Sequence, residues 1–149
     1  MASLVKVLVH VVFSTKHRVP FIEPALRNNL YPFMAAVVRR KGATLLALGG
    51  MPDHVHVLIR LKADLSLANL VGALKSVSSK WVHEKPDPIP GFAWQEGYAA
   101  FSVSPSREAA VRAYILNQEA HHRRNDFKGE LLAHLIKHKV EFDPAYVFD

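Results

Sequence analysis

Regular alternation of apolar residues near the start of the chain constrains its fold most. The residues concerned occupy every second position: Val5, Val7, Val9, Val11 and Phe13. A period of two is typical of a β-strand whose inward side chains are buried. Lys6 and His10 interrupt this stretch, which is also too short to cross a bilayer. The pattern therefore predicts a strand over residues 3–14 and a sheet that buries one of its faces.

The rest of the chain alternates between helical and strand patterns. The predicted elements are a helix from Pro24 to about Gly42, strands over 43–48 and 54–61, a helix capped by Ser66, a strand or hairpin over 92–103, a helix from Ser104 to about His122, and a short helix over 127–138. The first six elements match the ferredoxin-like order. We therefore expect one α+β domain over 1–149, with a ferredoxin-like (RRM-like) antiparallel sheet, helices on one face and an additional C-terminal helix that carries a tyrosine. The second sheet face would then be open to a ligand.

Composition narrows the class of protein. The formal charge of +6 and the pI near 9.7 favour a polyanionic partner. Cysteine is absent, which excludes disulfides, thiolate metal sites and a cysteine nucleophile. No stretch predicts a membrane segment or a signal peptide, so we expect a cytoplasmic protein without a membrane partner.

Two histidines on one strand are the first candidate ligands. His54 and His56 are two residues apart and should point to the same sheet face, while Val55 and Val57 should point to the helices. Neutral imidazole is a common metal ligand. Asp53 precedes the pair and would orient one imidazole by accepting a hydrogen bond. Surface or hydrogen-bonded histidines, and an ordinary turn aspartate, are the alternatives.

A tyrosine and a glutamine supply the complementary chemistry. Tyr114 and Gln118 are four residues apart and should project together from a helix. A phenol is a weak nucleophile at neutral pH unless a cation polarises its target, and a metal at His54 and His56 would do so. Gln118 would add an oxygen ligand. A packing tyrosine and a solvated glutamine are the alternatives.

Another histidine pair has helical spacing as well. His134 and His138 are four residues apart on the last predicted helix, among Lys137, Lys139 and Glu141. These charged neighbours predict a solvated face rather than a second site.

These motifs resemble those of a known family, the small single-tyrosine transposases of bacterial insertion sequences in the HUH nuclease superfamily. The histidine-hydrophobic-histidine motif of that superfamily corresponds to His54, Val55 and His56. The similar segments extend over nearly the whole chain: residues 10–16, 18–20, 49–56, 78–81, 92–98, 101–104, 114–118 and 121–122.

The resemblance implies an activity and a set of roles. Tyr114 would attack a single-stranded DNA phosphodiester and form a 5′-phosphotyrosine link, while His54, His56 and Gln118 would hold one divalent ion, Mg²⁺ or Mn²⁺. The substrate would be hairpin-forming ends of a mobile element. The protein would be a homodimer in which one subunit's tyrosine helix can complete the partner's site, and it would associate with the nucleoid when bound to DNA.

Charge alone adds candidate contacts to the DNA backbone. They are Arg39, Arg40, Lys75, Lys80, His122, Arg123 and Arg124. Trp94 and Tyr98 would stack on bases or else pack in the core or a dimer contact.

Two other functions remain open at this point. One is a domesticated HUH protein that processes chromosomal hairpin repeats without moving its own gene. The other is a non-catalytic single-stranded nucleic-acid-binding module on the same sheet, whose binding would survive loss of Tyr114.

Overall fold

A four-stranded antiparallel sheet forms the centre of the computed structural model, which describes residues 1–121 and 126–148. The strands are β1 (Val7–Ser14), β2 (Thr44–Met51), β3 (His54–Leu61) and β4 (Ala99–Val103), and their spatial order is β2-β3-β1-β4. This order and the helices between the strands confirm the expected ferredoxin-like α+β fold.

Three strands differ from their predicted bounds, and one of them is β2, which continues to Met51 instead of ending at residue 48. β1 begins at Val7 rather than at residue 3, and β4 is only five residues long. Upstream of β4, Trp94 makes only an isolated bridge with Thr15. The chain turns at Gly97, whose φ of +75° is favourable for glycine, and this turn separates the bridge from β4.

The main core lies between the sheet and two helices, α1 (Pro24–Arg40) and α2 (Leu67–Glu84). Val55, Val57 and Ile59 of β3 belong to it, as predicted. Ser66 caps α2 by accepting a hydrogen bond from the backbone N–H of Asn69 at 3.0 Å. Trp94 is also a core residue, because it is buried and its indole N–H donates to the Ser78 hydroxyl at 2.9 Å.

The second sheet face is covered, which corrects the expectation of an open ligand-binding surface. In the described part of the chain, three α-helices follow β4: α3 (Glu108–Leu116), α4 (Gln118–His121) and α5 (Phe127–Lys137). Val12 and Phe101 pack against α5, and Leu58 packs against Ile115 of α3. These strand residues are apolar on the face away from the main core, so burying them requires a second layer.

The predicted single helix from Ser104 to about His122 is divided. A 3₁₀ turn over Pro105–Arg107 precedes α3, and Asn117 interrupts the path between α3 and α4. Gln118 therefore begins a new short helix. Within the described residues, no helix is long and apolar enough to span a membrane.

Candidate functional site

Both histidines of the β3 pair are fully buried beneath the C-terminal helices. His54 pairs in register with Ser14 of β1, and His56 pairs with Val12. Their ring centroids are 5.1 Å apart, and each side chain has an exposed fraction of 0%. The alternation of β3 thus places both imidazoles in the second layer, opposite the main core.

The Nδ1 atom of each imidazole has a partner. His54 Nδ1 lies 2.7 Å from a carboxylate oxygen of Asp53, and His56 Nδ1 lies 2.7 Å from Nε2 of His10. The Nε2 atoms of the two rings are directed at the same buried point. Asp53 and His10 therefore orient the pair for a shared ligand.

Glu130 of α5 occupies that point. Its Oε1 atom lies 3.2 Å from Nε2 of His54 and 2.8 Å from Nε2 of His56. Glu130 is itself 2% exposed. The ligand atoms of these three residues lie within 4.8 Å of one another, which is compatible with a single metal ion.

Tyr114 meets the same carboxylate from α3. Its hydroxyl donates to Oε2 of Glu130, and its ring lies 5.6 Å from the His56 ring. Gln118 is 2% exposed, and its side-chain oxygen lies 3.3 Å from Nε2 of His54. One chain thus brings together the predicted tyrosine, both histidines, the glutamine and Asp53.

Charge balance explains the protonation of this cluster. Burial alone would lower the pKa of His54, but its hydrogen bonds with Asp53 and Glu130 outweigh burial and raise that pKa to about 9. Burial would raise the pKa of Glu130, but hydrogen bonds from His54 and His56 hold it well below its usual range. The Glu130 carboxylate therefore requires a neighbouring positive charge, which a proton on His54 or a divalent cation can supply.

The nucleophile candidate is protonated in this arrangement. Burial, and next the negative Glu130 carboxylate, raise the pKa of the Tyr114 hydroxyl far above its usual value. Burial and the neighbouring His56 lower the pKa of His10 to about 2, so His10 is a neutral hydrogen-bond partner.

His134 and His138 do not form the solvated face that the charged neighbours predicted. Nε2 of His134 lies 3.2 Å from the Tyr114 hydroxyl, and its ring stacks on Phe101 at a centroid distance of 5.4 Å. His138 also packs on Phe101, at 4.5 Å. Both are partly buried because their helix covers the second sheet face.

The residues predicted from charge to contact DNA are not gathered at this site. Arg39, Arg40 and Lys80 lie on α1 and α2, on the opposite side of the sheet. Lys75 is half-buried, and its amine donates to the backbone oxygens of Gln95 and Gly97. That lysine therefore holds a loop in place. His122, Arg123 and Arg124 lie outside the described residues, and the DNA contacts of all seven stay predictions.

Two functional candidates were missed by sequence reasoning, namely Glu130 and His10. Glu130, His134 and His138 are spaced by four residues and form one polar line along α5, next to the apolar line of Phe127, Leu131 and Leu135. This four-residue spacing of polar side chains was the sequence pattern that could have identified Glu130. For His10, the signal was a polar residue within an otherwise apolar strand.

A glycine permits the close contact between α3 and the sheet. A Cβ atom at Gly49 of β2 would collide with the backbone carbonyl of Ile115, the residue that follows Tyr114. Any side chain at position 49 would therefore push away the helix that carries the tyrosine.

Comparisons with known proteins agree with this geometry. The sequence model of a family described as "Transposase IS200 like" matches residues 3–118, which include the histidine pair, Tyr114 and Gln118 but not Glu130. The ISDra2 transposase TnpA of Deinococcus radiodurans is 24% identical over 114 residues, covering 73% of this chain and 81% of the relative.

Solved structures share the fold. A crystal structure of a transposase from Deinococcus radiodurans has a TM-score of 0.63 and 26% identity, covering 79% of this chain and 95% of the other. A REP-associated tyrosine transposase bound to a REP hairpin has a TM-score of 0.63 at 14% identity, covering 82% of this chain and 72% of the other.

Proposed function

The chain belongs to the family of IS200-like transposases, and we propose that it cleaves and rejoins single-stranded DNA with Tyr114 as the nucleophile. One observation carries the proposal. The Tyr114 hydroxyl and the Nε2 atoms of His54 and His56 converge on a single carboxylate in one chain. A packing tyrosine has no need for this buried polar cluster, which is costly unless fully hydrogen-bonded.

Cleavage would exchange one phosphodiester for another. The Tyr114 oxygen bonds to the scissile phosphorus, and the bond to the 3′ oxygen breaks. Glu130 orients the phenol oxygen by accepting its hydrogen bond, and the phenol proton passes through solvent to the departing 3′ oxygen. The 5′-phosphotyrosine link preserves the bond energy, so attack by another 3′-hydroxyl rejoins strands.

The donor set fits a divalent metal ion. His54 and His56 supply nitrogen, and Gln118 and Glu130 supply oxygen, all buried. This mixture suits Mn²⁺ and, through the oxygen donors, Mg²⁺. A bound ion would withdraw charge from a phosphate oxygen of the substrate. Asp53 and His10 would keep both imidazoles in the tautomer that leaves Nε2 available.

The substrate we propose is a hairpin-forming DNA end with a single-stranded flank. The structural neighbour of equal TM-score was solved with a REP hairpin, and the net charge of +6 suits a nucleic acid. A homodimer remains part of the proposal. Because one chain supplies every part of the cluster, a partner's tyrosine helix is not needed to complete it.

The decisive test is trapping of the covalent adduct. Single-stranded oligonucleotides from both flanks of the gene are incubated with protein and Mn²⁺ and resolved on denaturing gels. We expect a metal-dependent adduct that Tyr114→Phe abolishes while hairpin binding persists. Tyr98→Phe is the matched control and should keep the adduct. An adduct retained by Tyr114→Phe would identify another nucleophile.

Processing of chromosomal hairpin repeats is the second candidate, because the fold matches the REP-associated enzyme as closely as the Deinococcus transposase. The two candidates share their chemistry. Adduct formation on repeat hairpins from elsewhere in the genome, with none on the gene's own flanks, would favour repeat processing. Tight hairpin binding with no adduct on any strand would favour a non-catalytic module.

A further inference from the structure

A cationic cavity adjoins the nucleophile and belongs to none of the roles assigned so far. It has a volume of about 450 Å³, and Tyr114, His10 and His134 form its inner wall. Arg107 and Lys137 lie on its outer part, and both are exposed. Its size is sufficient for a nucleotide-sized group.

The lining of this cavity favours an anion. Among the described residues that line it, none is Asp or Glu, whereas the cavities beside Trp81 and Tyr98 both include carboxylates. The hydroxyls of Ser102 and Ser104 add hydrogen-bond donors at the end of β4. A lining of cations and hydroxyls is typical of contacts to a phosphate oxygen.

The geometry relates this cavity to the scissile bond. Arg107 ends the 3₁₀ turn directly before α3 and is seven residues before Tyr114, which is close to two helical turns or about 10 Å of rise. Lys137 is one turn beyond His134, whose Nε2 contacts the Tyr114 hydroxyl at 3.2 Å. Arg107 is thus about two turns from Tyr114 and Lys137 is one turn from His134, which places both cations beside the Tyr114 hydroxyl rather than at it.

We propose that this cavity binds the backbone phosphate next to the scissile one, with Arg107 and Lys137 as its cationic partners. The inference rests on the proposed function, since it requires a DNA strand at Tyr114. It assigns the cavity to the single-stranded flank and not to the hairpin. Two cations at this position would hold the strand so that the attacked phosphorus faces the phenol oxygen.

The first test measures adduct formation against strand concentration. We expect Arg107→Gln combined with Lys137→Gln to lower the second-order rate of adduct formation at least tenfold, with hairpin affinity unchanged. Strand binding measured in EDTA should lose part of its salt dependence, by about one unit of the log–log slope per lost phosphate contact. Arg107→Lys, which keeps the positive charge, should form the adduct at a rate much closer to that of the parent protein. Arg112→Gln with Lys128→Gln, on α3 and α5 but outside the cavity, is the matched control.

The second test neutralises the phosphate instead of the protein. A methylphosphonate is placed at each phosphate that neighbours the scissile one. At one of these positions, we expect the methylphosphonate to slow adduct formation by the parent protein about as much as the double substitution does. The same methylphosphonate should have little further effect on the rate of the double variant. Equal sensitivity of parent and variant at both positions would overturn the inference.

The outcomes separate this inference from the proposed function. A parent protein that forms the adduct, with the double variant unchanged in rate and salt dependence, overturns the assignment of the cavity alone. A parent protein that neither binds nor cleaves any single strand overturns the proposed function and this inference with it.

Discussion

At the scale of single residues, Asp53 is one of two carboxylates that favour the protonated form of His54. Without metal, the hydrogen bonds to Asp53 and Glu130 raise the pKa of His54 from 6.5 to about 9. Because the folded state holds the His54 proton more tightly than the unfolded state does, it is stabilised fully below pH 6.5. This stabilisation is lost as the pH rises through 9. The shift corresponds to about 3 kcal/mol of stability.

We therefore expect the metal-free protein to lose about that much unfolding free energy between pH 6.5 and 9. Asp53→Asn should reduce the loss, because the amide still accepts the His54 hydrogen bond but carries no charge. Urea unfolding in EDTA at a series of pH values measures this. Asp64→Asn, at an exposed aspartate, is the control, and an identical pH profile for Asp53→Asn would contradict the explanation.

Glu130 has two possible roles, which one substitution can separate. If Glu130 is a metal ligand, the substitution Glu130→Gln should weaken Mn²⁺ binding at least tenfold, which is about 1.4 kcal/mol. It should also slow adduct formation. Calorimetric titration with Mn²⁺ measures the first effect, and denaturing gels measure the second. Glu141→Gln is the control. Unchanged Mn²⁺ affinity with a lost adduct would show that Glu130 acts on Tyr114 and not on the metal.

At the scale of elements, the contact between α3 and β2 positions Tyr114, the proposed nucleophile. We expect Gly49→Ala to destabilise the protein by about 1–3 kcal/mol, because the added Cβ meets the carbonyl of Ile115. The adduct should be lost as well, since Tyr114 precedes Ile115. Urea unfolding and adduct gels measure the two effects.

Gly72→Ala is the matched control for that substitution. Gly72 lies in α2, and a Cβ there meets nothing within 4 Å, so alanine should stabilise the protein by about 0.5–1 kcal/mol. Equal stability of the two variants would contradict the importance of the close approach.

Period and capping explain which elements were predictable from sequence. The strand His54–Leu61 and the Ser66 cap follow directly from alternation and hydrogen-bonding chemistry. The covered second face was not predicted, because alternation shows which side of a strand is apolar but not which distant helix covers it. Glu130 was missed for the same reason: its partners are 74 and 76 residues away in sequence.

At the scale of the whole molecule, one chain holds a complete cluster. We therefore expect that mixing Tyr114→Phe protein with His56→Ala protein restores no adduct. A site shared between subunits would instead recover activity in mixed dimers, up to roughly a quarter of the parent level. Adduct gels on pre-mixed, co-refolded variants measure this, and such recovery would mean that the tyrosine helix is exchanged in solution.

The two layers of the molecule have a consequence for inherited copies of such a gene. The main core between the sheet and α1–α2 contains neither Tyr114 nor Glu130. A copy that has lost Tyr114 should therefore still fold, and, if the chain binds hairpin ends as proposed, that copy should still occupy those of intact relatives. Decay of one copy would then restrain the spread of the others, because a competent but inert occupant blocks the ends that an active enzyme needs.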